Sequence, residues 1–221
     1  MIHPVKADWV FVCGMMRSGS TVLHAIAGLL VTTTKTGVGV HYAFANEGRF
    51  PGIFAKYDPQ PGRKVIKTYG YDSLIERLFE EGRASGIYSF RDLHEMLVSW
   101  GRRKRLALDD PTWMADMVKR QIRHEQFWTR QEQMLIIPYA AVVNDLGGVI
   151  RAVGAFLDIA VDDDAVAVMV EHYNIDQMRQ QLPPGHVHDG GTDWRQHVTE
   201  AQAAIIADVV AEHGAEAFSL D

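Results

Sequence analysis

The chain has 221 residues, of which 47% are hydrophobic and 23% charged, so it is long enough to bury a substantial core and is typical of a single globular domain, residues 1–221. Its formal net charge of −6 argues against a general binder of nucleic acid or of anionic membrane surfaces. Cys13 is the only cysteine, which excludes an intrachain disulfide.

Two further classes are disfavoured by the hydropathy pattern. No apolar run approaches the roughly 18 residues of a membrane span, and the first ten residues lack the charged-then-apolar pattern of a signal peptide. We therefore expect a cytoplasmic protein without a membrane span. The sequence does not indicate an oligomeric state.

Short apolar runs alternate with helical patterns along the chain. The runs suited to buried strands are Val10–Met15, Lys64–Lys67, Gly86–Phe90 and Met134–Pro138. Helices are predicted after the first, third and fourth runs, after Asp110 as an N-cap, and after Thr199, whose capping-box partner is Gln202. This alternation predicts an α/β fold with a central, mostly parallel sheet.

Two segments resist the alternating pattern. Residues 32–63 are rich in glycine and aromatic residues, and residues 174–198 contain the stretch LPPGHVHDGGTDW. Long irregular segments in a compact domain are usually functional, and ligands of parallel sheets bind beyond the carboxyl ends of the strands. We therefore expect both segments to cover a substrate or cofactor site.

The first apolar run leads into a glycine- and serine-rich turn, CGMMRSGSTVL. Gly14 and Gly19 have the spacing of a Walker A loop, but Ser20 occupies the position of its lysine. Backbone amides at the start of a helix favour phosphate groups, and Arg17 adds a charge suited to an oxyanion. Without the lysine, chemistry on a nucleoside triphosphate is disfavoured.

A second motif follows the third apolar run. Arg91 comes directly after that run, and Ser99 lies eight residues later. If a helix begins near Asp92, Ser99 is about two turns along it. An arginine and a hydroxyl at this separation can clasp one phosphate group, or Arg91 can be an ion-paired surface residue.

Together, the two motifs resemble those of sulfotransferases that use 3′-phosphoadenosine 5′-phosphosulfate (PAPS), in the Golgi-type and bacterial branch. The resemblance implies a P-loop-like, three-layer fold. It implies that the 5′-phosphosulfate is held by Arg17, Ser18, Gly19, Ser20 and Thr21. It further implies that Arg91 and Ser99 hold the 3′-phosphate, and that Trp194, within a stretch similar to the late signature of the family, helps frame the nucleotide.

The sequence departs from the family pattern in two places. Where the late signature carries a basic pair, this chain has Val187 and His188. The closing grip on the 3′-phosphate is then either weaker than in the family or supplied by His186, His188 or Arg195. The tyrosine that matches Tyr139 is often followed by an acidic residue in the family, whereas here an alanine follows.

The resemblance implies transfer of a sulfuryl group to a hydroxyl or amine of a small-molecule, carbohydrate or lipid acceptor, without a metal. A general base must then deprotonate the acceptor. Glu47, in the stretch NEGRF, is the first candidate for the base, and His41 and Tyr69 are alternatives. Lys67, at the end of an apolar run, is a candidate for stabilising the leaving group.

Two other functions fit parts of the sequence. A P-loop phosphotransferase would use the same turn, but no clear magnesium-binding aspartate ends a strand. A nucleotide-binding module without catalysis would explain the altered late signature. The basic stretch GRRKR, residues 101–105, is either a solvated helix end or a docking patch for an anionic acceptor or cofactor.

Overall fold

A computed structural model of the protein describes residues 6–40, 48–104, 108–181 and 193–213. Its centre is a five-stranded parallel sheet with strand order β2-β3-β1-β4-β5. The strands are β1 (Trp9–Gly14), β2 (Gly37–Val40), β3 (Arg63–Lys67), β4 (Ala84–Phe90) and β5 (Met134–Pro138). The predicted parallel α/β fold is confirmed.

Helices connect the strands and follow the last one. They are α1 (Ser20–Thr33), α2 (Phe50–Tyr57), α3 (Ser73–Glu80), α4 (Leu93–Lys104), α5 (Pro111–Thr129), α6 (Tyr139–Asn144), α7 (Leu146–Phe156), α8 (Asp163–Tyr173), α9 (Ile175–Gln181) and α10 (Glu200–His213), with a short 3₁₀ helix at Trp194–Gln196. Within the described ranges, no helix is both long enough and apolar enough to cross a membrane.

Alternate side chains of β1 enter two separate cores, one on each face of the sheet. Phe11 belongs to a cluster with Met114 and Ile122 of α5, whereas Val12 belongs to a cluster with Ile26 of α1 and Ile150 of α7. Because strands buried on both faces need apolar residues at every position, β1 is apolar throughout. The result is the expected three-layer arrangement, with helices on both faces of the sheet.

The four apolar runs correspond to β1, β3, β4 and β5, and β4 begins two residues before the predicted run. The strand β2 was not predicted. Its sequence, GVGV, has four residues, and two of them are glycines, which are depleted in strands. Pairing with β3 stabilises this edge strand despite its sequence.

The two irregular segments contain regular structure, so that part of the prediction was wrong. The first, residues 32–63, holds β2 and α2, and the second, residues 174–198, holds α9 and the 3₁₀ helix. Their role as a cover for a site stays a prediction, because residues 41–47 and 182–192 lie outside the described residues.

The predicted helix starts are confirmed by their caps. The side chain of Asp110 accepts a hydrogen bond from the Trp113 amide at 3.0 Å. Thr199 and Gln202 form the reciprocal capping box, with distances of 2.9 and 3.3 Å. Asp92 caps α4 by accepting bonds from two amides of its first turn. This cap sets the position at which α4 starts, and hence the direction in which Ser99 points.

Candidate active site

The central strands β1 and β4 lie side by side. The chain after β1 leads to β2 on one side of the sheet, and the chain after β4 leads to β5 on the other. In a parallel sheet, the crevice beyond the carboxyl ends of such a pair is the usual ligand site. β1 ends at Gly14, and the loop of residues 15–19, here called the β1–α1 loop, leads into α1. β4 ends at Phe90, directly before Arg91. The two sequence motifs therefore meet at this crevice.

The β1–α1 loop is fastened to β4 and α5 by hydrogen bonds. The Met15 amide donates to the carbonyl of Ser89 at 2.9 Å, and the Met16 amide donates to Oε1 of Gln121 at 3.0 Å. The Ser18 hydroxyl donates to the Met15 carbonyl at 2.6 Å and lies 2.7 Å from the Ser89 hydroxyl. All of these atoms are buried, so the first half of the loop is held rigidly.

Two residues of the loop have left-handed backbone conformations. The φ angle is 68° at Arg17 and 88° at Gly19. This conformation costs a non-glycine residue free energy, and such residues persist where their surroundings over-determine them. At Gly19 the chain also runs close to α6, where an added Cβ would lie 3.2 Å from Val142 Cγ1. Both conditions favour glycine at this position.

The loop presents the positive end of α1 to the crevice. Gly19 is the N-cap, so the amides of Ser20 and Thr21 have no acceptor within the helix. The first turn of α1 contains no acidic residue that would neutralise the helix dipole. These features favour the binding of an anion.

Lys67 adds a charge to this site from the end of β3. Its Nζ donates to the Thr21 hydroxyl at 2.7 Å, and the residue is buried. β3 lies next to β1, so a lysine from the neighbouring strand reaches the loop. The position of the Walker A lysine is occupied by Ser20, and a cation is nevertheless present at the same helix end.

Arg91 is held in place by three groups. Its Nε donates to Oε2 of Glu95 at 2.8 Å, and one terminal nitrogen lies 3.4 Å from the carbonyl oxygen of Arg17. Its guanidinium carbon lies 4.3 Å from the ring centroid of Tyr139, a cation–π contact. Arg91 is therefore buried beside the loop, in the place that the sequence motif predicts.

Ser99 meets the loop through its hydroxyl, which accepts a hydrogen bond from Nε of Arg17 at 3.0 Å. Arg91 and Ser99 thus both contact Arg17, one through its carbonyl and the other through its side chain. The structure therefore brings the two motifs together. Their binding of a phosphate group stays a prediction.

Positive charge is concentrated around Arg17. Burial lowers the pKa of its guanidinium, and the charges of Arg103 and Arg91 lower the pKa further. Arginine remains protonated despite such shifts. Like charges held this close repel one another, so a bound anion would stabilise the cluster.

Trp194 packs beside the first turn of α4. Its ring is stacked on that of His94, with centroids 4.0 Å apart and planes at 14°, and His94 lies three residues after Arg91. The guanidinium of Arg195 lies 4.7 Å from the Trp194 ring centroid and 3.5 Å from the Asp193 carboxylate. Trp194 is therefore near the second motif, as expected for a residue that frames the same site.

Several candidates lie outside the described residues. They are two of the three candidate bases, Glu47 and His41, and three residues near the late signature, His186, Val187 and His188. Their roles stay predictions. Tyr69, the third candidate base, is described: its ring centroid lies 5.0 Å from Nζ of Lys67. This places Tyr69 beside the cation at the end of β3.

A buried polar cluster beneath the loop was not predicted from the sequence. Gln121 and Glu125 lie one turn apart on α5 and are both buried. Oε1 of Glu125 and the hydroxyl of Tyr88 have no hydrogen-bond partner among the described residues. A signal was present in the sequence, because both α5 residues continue the helical spacing of Met114 and Val118, so polar residues stand on an apolar stripe.

Burial raises the pKa of the Glu125 carboxyl from its usual 4.5 to about 7. Burial, followed by the charge of Glu125, also raises the pKa of Tyr88. The Glu125 carboxyl is therefore neutral in the folded protein at mildly acidic pH. Through Gln121, the same helix holds the Met16 amide, so this cluster supports the floor of the site.

Comparison with known proteins identifies relatives of this arrangement. The sequence matches the sulfotransferase domain family over residues 7–217. No curated protein sequence matches at a significant level. Among described residues, no group of three or more histidine, cysteine or acidic side chains is arranged to hold a metal ion.

Solved structures share the fold. Retinol dehydratase, solved with retinol and 3′-phosphoadenosine 5′-phosphate (PAP), has a TM-score of 0.66 and 18% identity, covering 96% of this chain and 83% of its own. Mouse sulfotransferase SULT7A1, complexed with PAP, has a TM-score of 0.66 and 15% identity, covering 97% and 86%. An Arabidopsis thaliana putative steroid sulphotransferase has a TM-score of 0.53 and 12% identity, covering 96% and 78%.

We predict that Glu125→Gln stabilises the protein above pH 7 and not at pH 4.5. The folded pKa is about 7 and the ordinary value is 4.5, so the proton of Glu125 stabilises the fold at low pH, and this contribution is lost as the pH rises to 7. Glutamine has no such loss, and the advantage of the variant approaches about 3 kcal/mol at pH 8. Urea denaturation across this pH range measures the difference in free energy of unfolding, with exposed Glu132→Gln as the control. A difference that does not change with pH would contradict the assignment.

Proposed function

The chain belongs to the sulfotransferase domain family, and on that premise we propose that it transfers a sulfuryl group from PAPS to a hydroxyl or amine of an acceptor. One observation carries the proposal. Arg17, at the centre of the β1–α1 loop, is in direct contact with both Arg91 and Ser99. The β1–α1 loop, suited to one anionic group, therefore adjoins Arg91 and Ser99, here called the clasp, which suit a second. PAPS carries two such groups, the 5′-phosphosulfate and the 3′-phosphate.

The loop suits the 5′-phosphosulfate. We assign its binding to Arg17, Ser18, Gly19, Ser20 and Thr21. The amides at the start of α1 and the hydroxyls of Ser20 and Thr21 donate hydrogen bonds, and Arg17 supplies a charged fork for oxyanions. The Ser18 hydroxyl is already engaged with Met15, so in this assignment Ser18 contributes its backbone amide.

The clasp suits the 3′-phosphate. A phosphate monoester carries about −1.5 to −2 charges near neutral pH, and Arg91 presents a buried guanidinium for it. The Ser99 hydroxyl can donate a hydrogen bond to the phosphate while its oxygen still accepts one from Arg17. Trp194 lies beside this region and is assigned to framing the nucleotide.

The reaction requires few protein groups. The acceptor oxygen or nitrogen forms a bond to sulfur as the bond from sulfur to the bridging phosphate oxygen breaks, and PAP leaves. The acceptor proton passes to a general base, for which Glu47 is the first candidate and His41 the second. Charge grows on the bridging oxygen, and Arg17 and Lys67 are the cations that stabilise it.

We propose that the acceptor is a small organic molecule. Sugars and lipids are the alternative acceptors. Retinol dehydratase has been solved with retinol in one structure and with androsterone in another, each time together with PAP. We propose that residues 32–63 and 174–198 surround the acceptor. The first segment contains β2, which ends at the same edge of the parallel sheet as β1, and the second contains Trp194. No step of the proposed transfer uses a metal.

The activity itself is tested by mixing the protein with PAPS and a panel of alcohols, phenols and amines, and by measuring PAP release together with sulfated product. Arg17→Ala should reduce turnover by roughly 10²–10³, the effect of losing one donor to a developing charge. The control is Arg151→Ala, which removes an exposed arginine paired with Asp163. Turnover close to wild type in the Arg17 variant would contradict its role.

The 3′-phosphate clasp is tested with two nucleotides. Arg91→Ala should weaken the binding of PAP by about 10- to 100-fold, the value of a charge-assisted hydrogen bond, and should leave adenosine 5′-phosphate, which lacks the 3′-phosphate, almost unaffected. Isothermal titration calorimetry measures both dissociation constants. An equal loss for the two nucleotides would show that Arg91 does not bind the 3′-phosphate.

The general base is tested by a pair of variants. Glu47→Gln should abolish sulfation of the acceptor while PAP affinity stays unchanged, because glutamine has a similar shape and cannot take the proton. His41→Gln is the matched variant, and it should retain activity. If the Glu47 variant is active and the His41 variant is not, the base is His41.

A further inference from the structure

Arg91 has an ion-pair partner that the proposed function does not use. Nε of Arg91 donates to Oε2 of Glu95 at 2.8 Å, and the two side chains are 8% and 34% exposed. Glu95 lies in the first turn of α4, and its amide is bonded to the capping Asp92. The carboxylate is therefore held by a capped helix end, while about a third of the side chain remains exposed.

This contact fixes the orientation of the guanidinium. Nε points to Glu95, a terminal nitrogen points to the Arg17 carbonyl, and the guanidinium carbon lies over the Tyr139 ring. A planar guanidinium held by three groups has few alternative orientations. Glu95 provides the ionic part of this support.

The same carboxylate opposes the ligand that Arg91 would bind. A phosphate on the other edge of the guanidinium would lie within roughly 8 Å of Glu95, two hydrogen-bond lengths plus the width of the group. That distance is about one Debye length at physiological salt, and the guanidinium between the two groups is buried, so the repulsion between Glu95 and the phosphate is only partly screened. The negative charge of Glu95 therefore repels the phosphate while its hydrogen bond orients Arg91.

The remaining charges make such an opposing group useful. Arg17, Lys67 and Arg91 converge at the site, and Arg103 is near enough for its charge to act on Arg17. Spent nucleotide keeps both phosphates and must dissociate before the next turnover. Without an opposing charge, this cluster would retain the product.

We propose that Glu95 is a built-in counter-ion of the 3′-phosphate clasp, which orients Arg91 for the nucleotide and at the same time limits the affinity for it. The proposal rests on the proposed function, because it concerns the same 3′-phosphate. It assigns Glu95 as a positioning residue and a determinant of product release, with no contact to the transferred group.

The test compares charge removal with removal of the whole side chain. In Glu95→Gln the hydrogen bond to Arg91 is kept and the charge is lost, so PAP should bind about three- to tenfold more tightly than to the wild type. Glu95→Ala loses both, so it should bind PAP less tightly than Glu95→Gln does. Adenosine 5′-phosphate, without the 3′-phosphate, should bind all three proteins within about twofold.

The control is Glu76→Gln on α3, which removes an equivalent charge from an exposed ion pair with Arg130. It should leave the affinity for PAP unchanged, and thermal unfolding of all variants should match the wild type to within a few degrees. Titration calorimetry on the full chain gives the affinities. Steady-state kinetics adds a second readout, a lower KM for PAPS in Glu95→Gln.

The outcomes separate the proposal from the function on which it rests. If the wild type binds no PAP, the proposed function fails and the counter-ion role fails with it. If the wild type binds PAP but Glu95→Gln binds it no more tightly, only the role of Glu95 is overturned. If Glu95→Ala binds as tightly as Glu95→Gln, the orienting role is wrong.

Discussion

The hydrogen bond from Arg17 to Ser99 is the contact on which the site depends. It joins the β1–α1 loop to α4, while the pairing of β1 with β4 places the second arginine, Arg91, beside the helix start that favours anions. Arg17 carries this contact in a left-handed conformation. The strain is sustained by the buried bonds that fasten the preceding residues to Ser89 and Gln121.

Charge distribution explains how an acidic protein binds a polyanion. The net charge of −6 repels anions at long range, but cations from the loop, β3 and the end of β4 converge at one crevice. Glu95 shows that the local balance has an acidic component as well. Affinity for a nucleotide at such a site is therefore set by a small difference between attraction and repulsion, which individual residues can change.

The sequence predicted most of the fold, and it singled out the β1–α1 loop and the Arg91–Ser99 pair, which the structure places at one crevice. The reasons are local. Apolar runs and caps such as Asp110 are set by neighbouring residues, and the loop and the Arg91–Ser99 pair are short motifs. The strand β2 was missed because its two glycines disfavour a strand, and its pairing with β3 stabilises it nevertheless. The packing of α5 and α4 against the loop could not be predicted, because it follows from long-range contacts that no short motif contains. The burial of Gln121 and Glu125 and the pairing of Arg91 with Glu95 depend on that packing.

A titration of the wild-type protein with PAP and with ATP, in a buffer without divalent cations, distinguishes a PAPS site from a triphosphate site. We expect one site per chain that binds PAP with a dissociation constant of about 10 µM or lower, and ATP at least about 100-fold more weakly. This preference is expected because only PAP places phosphates at both the loop and the clasp. Tighter binding of ATP than of PAP, or no binding of PAP, would contradict it.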